Sequence, residues 1–153
     1  MPRKILVCVE MGDLAAKLVD YGNSLAHRLD VEVSFLHVLP NPHMWKGYGT
    51  WIQPDVTKEA RESAQKKIQY LIKKAEEKNP EKGQHEHQII FGQGDTSEII
   101  INTAKEGGFN LIVIGFKGSS GIEHMMVGST TTNVTRYSHC SVLVYRPGEE
   151  NPI

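Results

Sequence analysis

The sequence predicts an α/β fold, a three-layer sandwich in which a five-stranded parallel sheet lies between helices on both faces. Three observations predict it. Continuous apolar runs such as Ile5-Leu6-Val7-Cys8-Val9 and Leu111-Ile112-Val113-Ile114 read as strands buried on both faces, the habit of a parallel sheet. Between such runs lie segments whose apolar residues recur every three or four positions, the period of an amphipathic helix. Strand and helix alternate along the whole chain, an order that requires right-handed crossovers and covers both faces of the sheet.

The first strand, ending at Val9, is followed by a helix with Leu14, Leu18, Tyr21, Leu25 and Leu29 on one face. Val31 to Leu39 is the second strand, stopped by Pro40-Asn41-Pro42. From Asn41 to Pro54 no period is visible, and the segment carries Trp45, Tyr48 and Trp51. It exceeds the ~4–6 residues of an ordinary connection, so it reads as a functional lid or a surface excursion. Helix resumes near Asp55 with Ala60, Ala64, Ile68, Leu71, Ile72 and Ala75 on one stripe, and Asn79-Pro80 ends it. His85 to Phe91 is the third strand, and Gly92-Gln93-Gly94 the turn after it. Asp95, with Glu98 three residues on, predicts a capping box, and Gly107-Gly108 closes that helix. The fourth strand leads into a glycine-rich loop, a helix from about Ser129, and a last strand from Ser141 to Tyr145.

The chain has 153 residues, enough for one domain with its own core. Residues 1–148 are expected to form that domain, with 149–153 a tail. A net charge of −1 leaves no broad basic field for a nucleic-acid backbone. Lys66, Lys67, Lys73 and Lys74 alternate with Glu62, Glu76 and Glu77, the pattern of a solvated helix face. No apolar stretch approaches the ~20 residues that cross a bilayer, and the run after Lys4 is too short for a secretory core. Cys8 and Cys140 stand apart beside apolar runs, as buried free thiols do, which predicts a cytoplasmic protein.

In a doubly wound sheet, ligands bind beyond the carboxyl ends of the strands, where the strand order reverses. The richest loop there reads Gly115-Phe116-Lys117-Gly118-Ser119-Ser120-Gly121, continuing to Gly128-Ser129-Thr130-Thr131. Glycines let main-chain N–H groups approach a phosphate, and a helix starting at Ser129 would turn its unpaired N–H groups and positive dipole end towards an anion. The hydroxyls of Ser129, Thr130 and Thr131 can add donors, and Lys117 can pair with a terminal phosphate. Neither the P-loop nor the dinucleotide fingerprint occurs. Glycine turns and Ser or Thr caps also join elements that bind nothing, so spacing alone leaves both readings open.

The pattern Gly115-x2-Gly118-x9-Gly128-Ser129 resembles the nucleotide motif of the universal stress protein family, in its ATP-binding class. The similarity extends to Lys4-Ile5-Leu6-Val7-Cys8-Val9, His37-Val38, Gly94-Asp95, Leu111-Ile112-Val113-Ile114-Gly115 and Cys140-Ser141-Val142-Leu143-Val144. The resemblance implies strand order 3-2-1-4-5 and an adenine nucleotide ligand: ATP, or AMP or ADP, with Mg or Mn accompanying the phosphates. It assigns phosphate and ribose to Gly115, Gly118, Gly128, Ser129 and Thr130. The main chain of Val38 would bond the adenine edge, Cys8, Val9 and Glu10 would line base and ribose, and Ile114 would pack on the ligand. A homodimer paired through the last strand is implied too, with Val142 and Val144 facing the partner. The chain departs from the family in carrying Glu10 where ATP-binding members usually carry Asp, and Ser141 where Cys-Pro-Val is common.

Elsewhere, His85-Glu86-His87 offers half a metal site without further ligands in register, and an exposed strand edge is the simpler reading. His37, among apolar neighbours, reads as a packed, hydrogen-bonded histidine. Glu123 and His124 fall in the glycine loop. No catalytic set and no metal ligands are assigned. Three functions stay open: a nucleotide-binding regulator of a stress response, a slow ATPase or nucleotidyl-transfer enzyme, and a structural dimer without ligand.

Overall fold

The structure, a computed structural model, describes residues 3–39, 54–80, 86–116 and 128–146, with only the backbone for 54–57. Strands β1 (Lys4–Cys8), β2 (Glu32–Leu39), β3 (His87–Gln93), β4 (Leu111–Gly115) and β5 (Ser141–Tyr145) alternate with helices α1 (Ala15–Leu29), α2 (Pro54–Glu77), α3 (Thr96–Glu106) and α4 (Ser129–Tyr137). All the pairings are parallel and the sheet order is β3-β2-β1-β4-β5. The order reverses at the centre, between β1 and β4.

Alternation along the strands divides the core into two layers. Ile5 and Val7 of β1, and Val9 directly after it, point to one face with Val33, Phe35 and Val113, where α1 and α2 cover them through Leu18, Val19, Ile68 and Ile72. Leu6, Cys8, Leu36, Ile112 and Ile114 point to the other face, under Ile100 and Ala104 of α3 and Val134 of α4. Each large side chain removed fully from water contributes about 1.5–3 kcal/mol. Two fully buried faces explain why β1 and β4 read as unbroken apolar runs. The α1 face is tighter than leucine spacing suggests: Leu29 is exposed, and Ala15, Gly22, Asn23 and Ala26 are buried instead. Gly22 lies so close to β1 that a Cβ there would stand 2.5 Å from Val7 Cγ2.

Several boundaries differ from expectation, each for a local reason. Gly92 and Gln93 continue β3, paired with Val38 and Leu39, so the turn falls on Gly94 alone, at φ 135°. The Asp95 carboxylate accepts the Glu98 N–H at 3.0 Å and the Ser97 hydroxyl at 2.8 Å, capping α3 as its sequence predicts. Those donors, the Glu98 N–H first, hold the Asp95 carboxyl below its ordinary pKa. α1 ends without glycine, on Asp30 in the left-handed region at φ 52°. β1 stops one residue early, at Cys8, and the Val9 carbonyl meets a side chain, described below. No helix among the described residues is long and apolar enough to cross a membrane.

Candidate functional site

The carboxyl pole of the central strands carries the candidate site. β1 runs out at Cys8, while β2 continues to Leu39 on one side and β4 to Gly115 on the other. The shorter middle strand leaves a gap, with β2 and β4 about 10 Å apart across it at ordinary strand spacing.

One wall of the gap is main chain. In a parallel strand, successive residues turn their N–H and C=O alternately to the two neighbours. The Leu36 carbonyl faces β1, accepting the Val9 N–H at 2.8 Å, whereas the Leu39 carbonyl faces β3, accepting the Gly94 N–H at 3.2 Å. Val38 therefore turns its N–H and C=O towards β1, past the last β1–β2 pair, Cys8 with Leu36. A donor and an acceptor on one edge, beyond the end of the opposing strand, are what a planar heterocycle with its own donor and acceptor can pair with.

The other wall is the start of α4. Its first intrahelical bond runs from the Thr132 N–H to the Gly128 carbonyl, at 3.0 Å, so the N–H groups of Ser129, Thr130 and Thr131 precede the ladder. Gly128, extended at φ −59° and ψ 154°, has no side chain to cap them. The helix start is pinned to β4 twice: the Gly128 N–H donates to the Phe116 carbonyl at 3.3 Å, and the Thr131 hydroxyl donates to the Gly115 carbonyl at 2.8 Å. Phe116 is tied to β5 through its N–H, 2.7 Å from the Tyr145 carbonyl, and its ring carries the Arg146 guanidinium 4.7 Å from its centre. This wall can hold an anion by N–H donors and dipole.

The residues expected at the site fall into distinct positions. Val38, Gly115, Gly128, Ser129 and Thr130 lie at the pole, half-buried or exposed, and Glu10 is exposed directly after β1. Thr131 is buried, and the hydroxyl expected to meet a ligand instead ties helix to strand. Cys8, Val9 and Ile114 are 5%, 1% and 6% exposed, so their side chains are packed into the two core layers rather than open to a ligand, and Val38 is the half-buried apolar side chain beside the gap. Burial pushes the Cys8 thiol far above its ordinary pKa, and the Cys140 thiol up as well; both cysteines are free. Lys117, Gly118, Glu123 and His124, the stretch from Asn41 to Gln53 with Trp45 and Trp51, His85, and residues 147–153 lie outside the described residues.

Three features at this pole escape sequence reasoning. Arg146 reaches the β4 end only through a ring contact thirty positions away. Thr131 looks no different from its neighbours until burial is known. His37 reads as a packed histidine, and it is: Nδ1 lies 2.7 Å from the Val9 carbonyl and the ring meets Phe91 edge-on. What sequence does not reveal is which carbonyl it serves. Among the described residues, no three His, Cys, Asp or Glu side chains gather as a metal site. His87 has Glu76 at 3.8 Å as its neighbour across to α2. A shallow depression lined by Phe109, Asn110, His139 and Cys140 opens at the opposite, amino pole, away from the strand ends where such sheets hold ligands.

Fold and site together define a doubly wound α/β protein whose central crevice faces a main-chain edge to one side and an uncapped helix start to the other. The sequence model of the universal stress protein family matches residues 1–146. A relative, the universal stress protein YxiE of Bacillus subtilis (strain 168), is 34% identical over 149 residues, covering 95% of this chain and all of that protein. The chain belongs to the universal stress protein family. Among solved structures, UspA from Lactobacillus plantarum superposes with a TM-score of 0.71 at 22% identity, over 94% of this chain and 97% of that one. A universal stress protein family protein from Arabidopsis thaliana with AMP bound superposes with a TM-score of 0.57 at 17% identity, over 95% and 92%. At these identities the structural matches establish the shared fold.

Proposed function

We propose that this chain is an adenine-nucleotide-binding universal stress protein, holding ATP, or AMP or ADP, across the carboxyl end of β1 and acting as a homodimeric stress-response regulator in the cytoplasm. The observation that carries the reading is the pairing of two unlike polar walls at the point where the strand order reverses: the Val38 main-chain edge on β2, and the uncapped N–H groups of α4 held against the end of β4. The base would pair with Val38 and pack on its side chain. The phosphates would meet the N–H groups of Ser129 and Thr130, with Gly115 at the end of β4 and Lys117 and Gly118 from the loop that follows. Glu10, following β1, would stand by the ribose. The AMP held by the Arabidopsis thaliana protein of the same fold supports the ligand class. Mg or Mn would accompany the ATP phosphates.

Charge-assisted hydrogen bonds contribute about 1.5–3 kcal/mol each, whereas association costs about 4–15 kcal/mol. Base and phosphate must therefore bind together. Hydrolysis is proposed to be slow or absent, with the bound nucleotide acting through a difference in affinity between conformations. The homodimer would pair through β5, an edge strand whose Val144 is exposed.

Mass spectrometry of the purified protein is expected to find retained adenine nucleotide. Calorimetry is expected to show ATP or AMP binding that Gly128→Val abolishes, because a branched side chain would stand where phosphate meets the helix start. Equal affinity in the two proteins refutes the site. Turnover above about one per second in a single-turnover assay would make the chain an ATPase instead.

A further inference from the structure

Val9 sits where the β1–β2 ladder stops. Its N–H continues the ladder, donating to the Leu36 carbonyl at 2.8 Å. In a parallel pair the next bond would run from the Val38 N–H back to the Val9 carbonyl. That bond is not made: β1 ends at Cys8, and the Val9 carbonyl is engaged at 2.7 Å by Nδ1 of His37. A carbonyl oxygen only accepts, so in this contact Nδ1 is the protonated nitrogen. The ring is steered from the outer side, with Phe91 edge-on at 6.3 Å between centroids and the Arg61 guanidinium 5.2 Å from the Phe91 centroid. His37 and Val38 are adjacent in sequence but turn to opposite faces of the sheet. The imidazole can thus take the neighbouring strand's acceptor without blocking the Val38 main chain.

We infer that His37 is a positioning residue that keeps the Val38 N–H open to the ligand by occupying the one carbonyl that would otherwise close on it. The side chain substitutes for the last rung of the ladder, satisfying Val9 from the α2 face and leaving the Val38 edge unpaired in the crevice. The inference rests on the adenine-nucleotide reading for its benefit, but the hydrogen-bond exchange it describes stands on the main chain alone.

The test separates the two. Long-range ¹⁵N correlation on the labelled wild-type protein at a pH where the ring is neutral is expected to show His37 protonated on Nδ1; protonation on Nε2 overturns the inference whatever the protein binds. His37→Phe keeps the aromatic packing on Phe91 and removes the donor. The freed Val9 carbonyl is then expected to capture the Val38 N–H. Hydrogen exchange of the Val38 amide should slow, and AMP affinity measured by calorimetry should fall about tenfold or more. His37→Asn, whose amide can still donate to Val9, is expected to stay within about threefold of wild type. AMP binding unchanged in His37→Phe, or equally weakened in His37→Asn, overturns the inference. Wild type that binds neither AMP nor ATP refutes the nucleotide reading instead, and the tautomer and the Val38 exchange rate still decide the role of His37.

Discussion

Replacing Thr131 by Val removes one hydroxyl and almost nothing else, since both side chains are β-branched and of similar volume. The hydroxyl is 2.8 Å from the Gly115 carbonyl, in a residue only 3% exposed. The half-buried Gly115 carbonyl loses this donor, with water only a partial replacement. A hydrogen bond of this kind contributes about 0.5–1.5 kcal/mol. Taking about 1 kcal/mol, and about 2–4 °C per kcal/mol for a chain of this size, the melting temperature should fall by roughly 2–4 °C. Thr132 is the internal control. Its hydroxyl bonds back to the Gly128 carbonyl at 3.0 Å, but the residue is exposed, so Thr132→Val should stay within about 0.5 kcal/mol of wild type. Thermal melts followed by circular dichroism compare the two. Nucleotide affinity should fall in Thr131→Val alone, because the start of α4 is no longer fixed to β4. A Thr131→Val protein as stable as wild type, or a Thr132→Val protein equally damaged, would refute the idea that this bond holds the two walls in register.

Gly22→Ala should destabilise the fold despite the better helix former: its Cβ would lie 2.5 Å from Val7 Cγ2 and 3.1 Å from Cγ1, and overpacking at about 1–3 kcal/mol exceeds or offsets the ~1 kcal/mol of helix propensity gained. In a Val7→Ala background, urea titration should show the same substitution stabilising. Asp95→Ala should cost about 1 kcal/mol at neutral pH through loss of the α3 cap. Because hydrogen bonds lower the folded pKa of Asp95, this contribution is present above the unfolded value of about 3.9 and fades as pH falls through the folded one, so wild type and variant should converge in acid melts. Val144→Lys should yield monomers by light scattering if β5 is the dimer edge; an unchanged dimer would place the interface elsewhere.

The layers and most element boundaries were legible because they depend on apolar runs and their period, which hydrophobic burial imposes on any sequence that folds this way, whereas the strand order followed only from the family resemblance. Ile5 to Val9 and Leu111 to Ile114 could be little else than buried parallel strands. The errors fall where hydrogen-bond direction decides. Gly92 and Gln93 look like a turn by composition, yet β2 is long enough to pair with both, and the reversal is left to Gly94. Val9 looks like strand, and loses that state only because a side chain takes its carbonyl. The same division runs through the site. Gly128 with Ser129 is visible as a helix start, since a missing cap is a fact about residue type. Burial of Thr131, Cys8, Val9 and Ile114 depends on which element lies overhead, and no local pattern encodes that.

The walls of the crevice are made by how elements end rather than by what they contain. Packing requires β1 to be apolar on both faces, and that demand extends through Val9, which is buried as deeply as Val7. Left to the ladder, β1 would therefore pair one residue further and close the gap beside Val38. Hydrophobic burial cannot prevent this, because it is indifferent to which donor satisfies a carbonyl. A competing donor can, keeping the Val9 carbonyl satisfied while the Val38 N–H stays open to water or ligand, and His37 provides one from within the neighbouring strand. At the other wall the logic is reversed: α4 starts on a residue that can offer no cap, while Thr131 turns its hydroxyl back to Gly115, so the helix is anchored without its first N–H groups being used. One polar side chain on each wall is thus turned inward to a backbone carbonyl, and in each case the group left facing the crevice is main-chain N–H. A site built this way presents donors whose positions follow the sheet itself, and substitutions that disturb it should act through the inward-facing residues as strongly as through those that would touch the ligand.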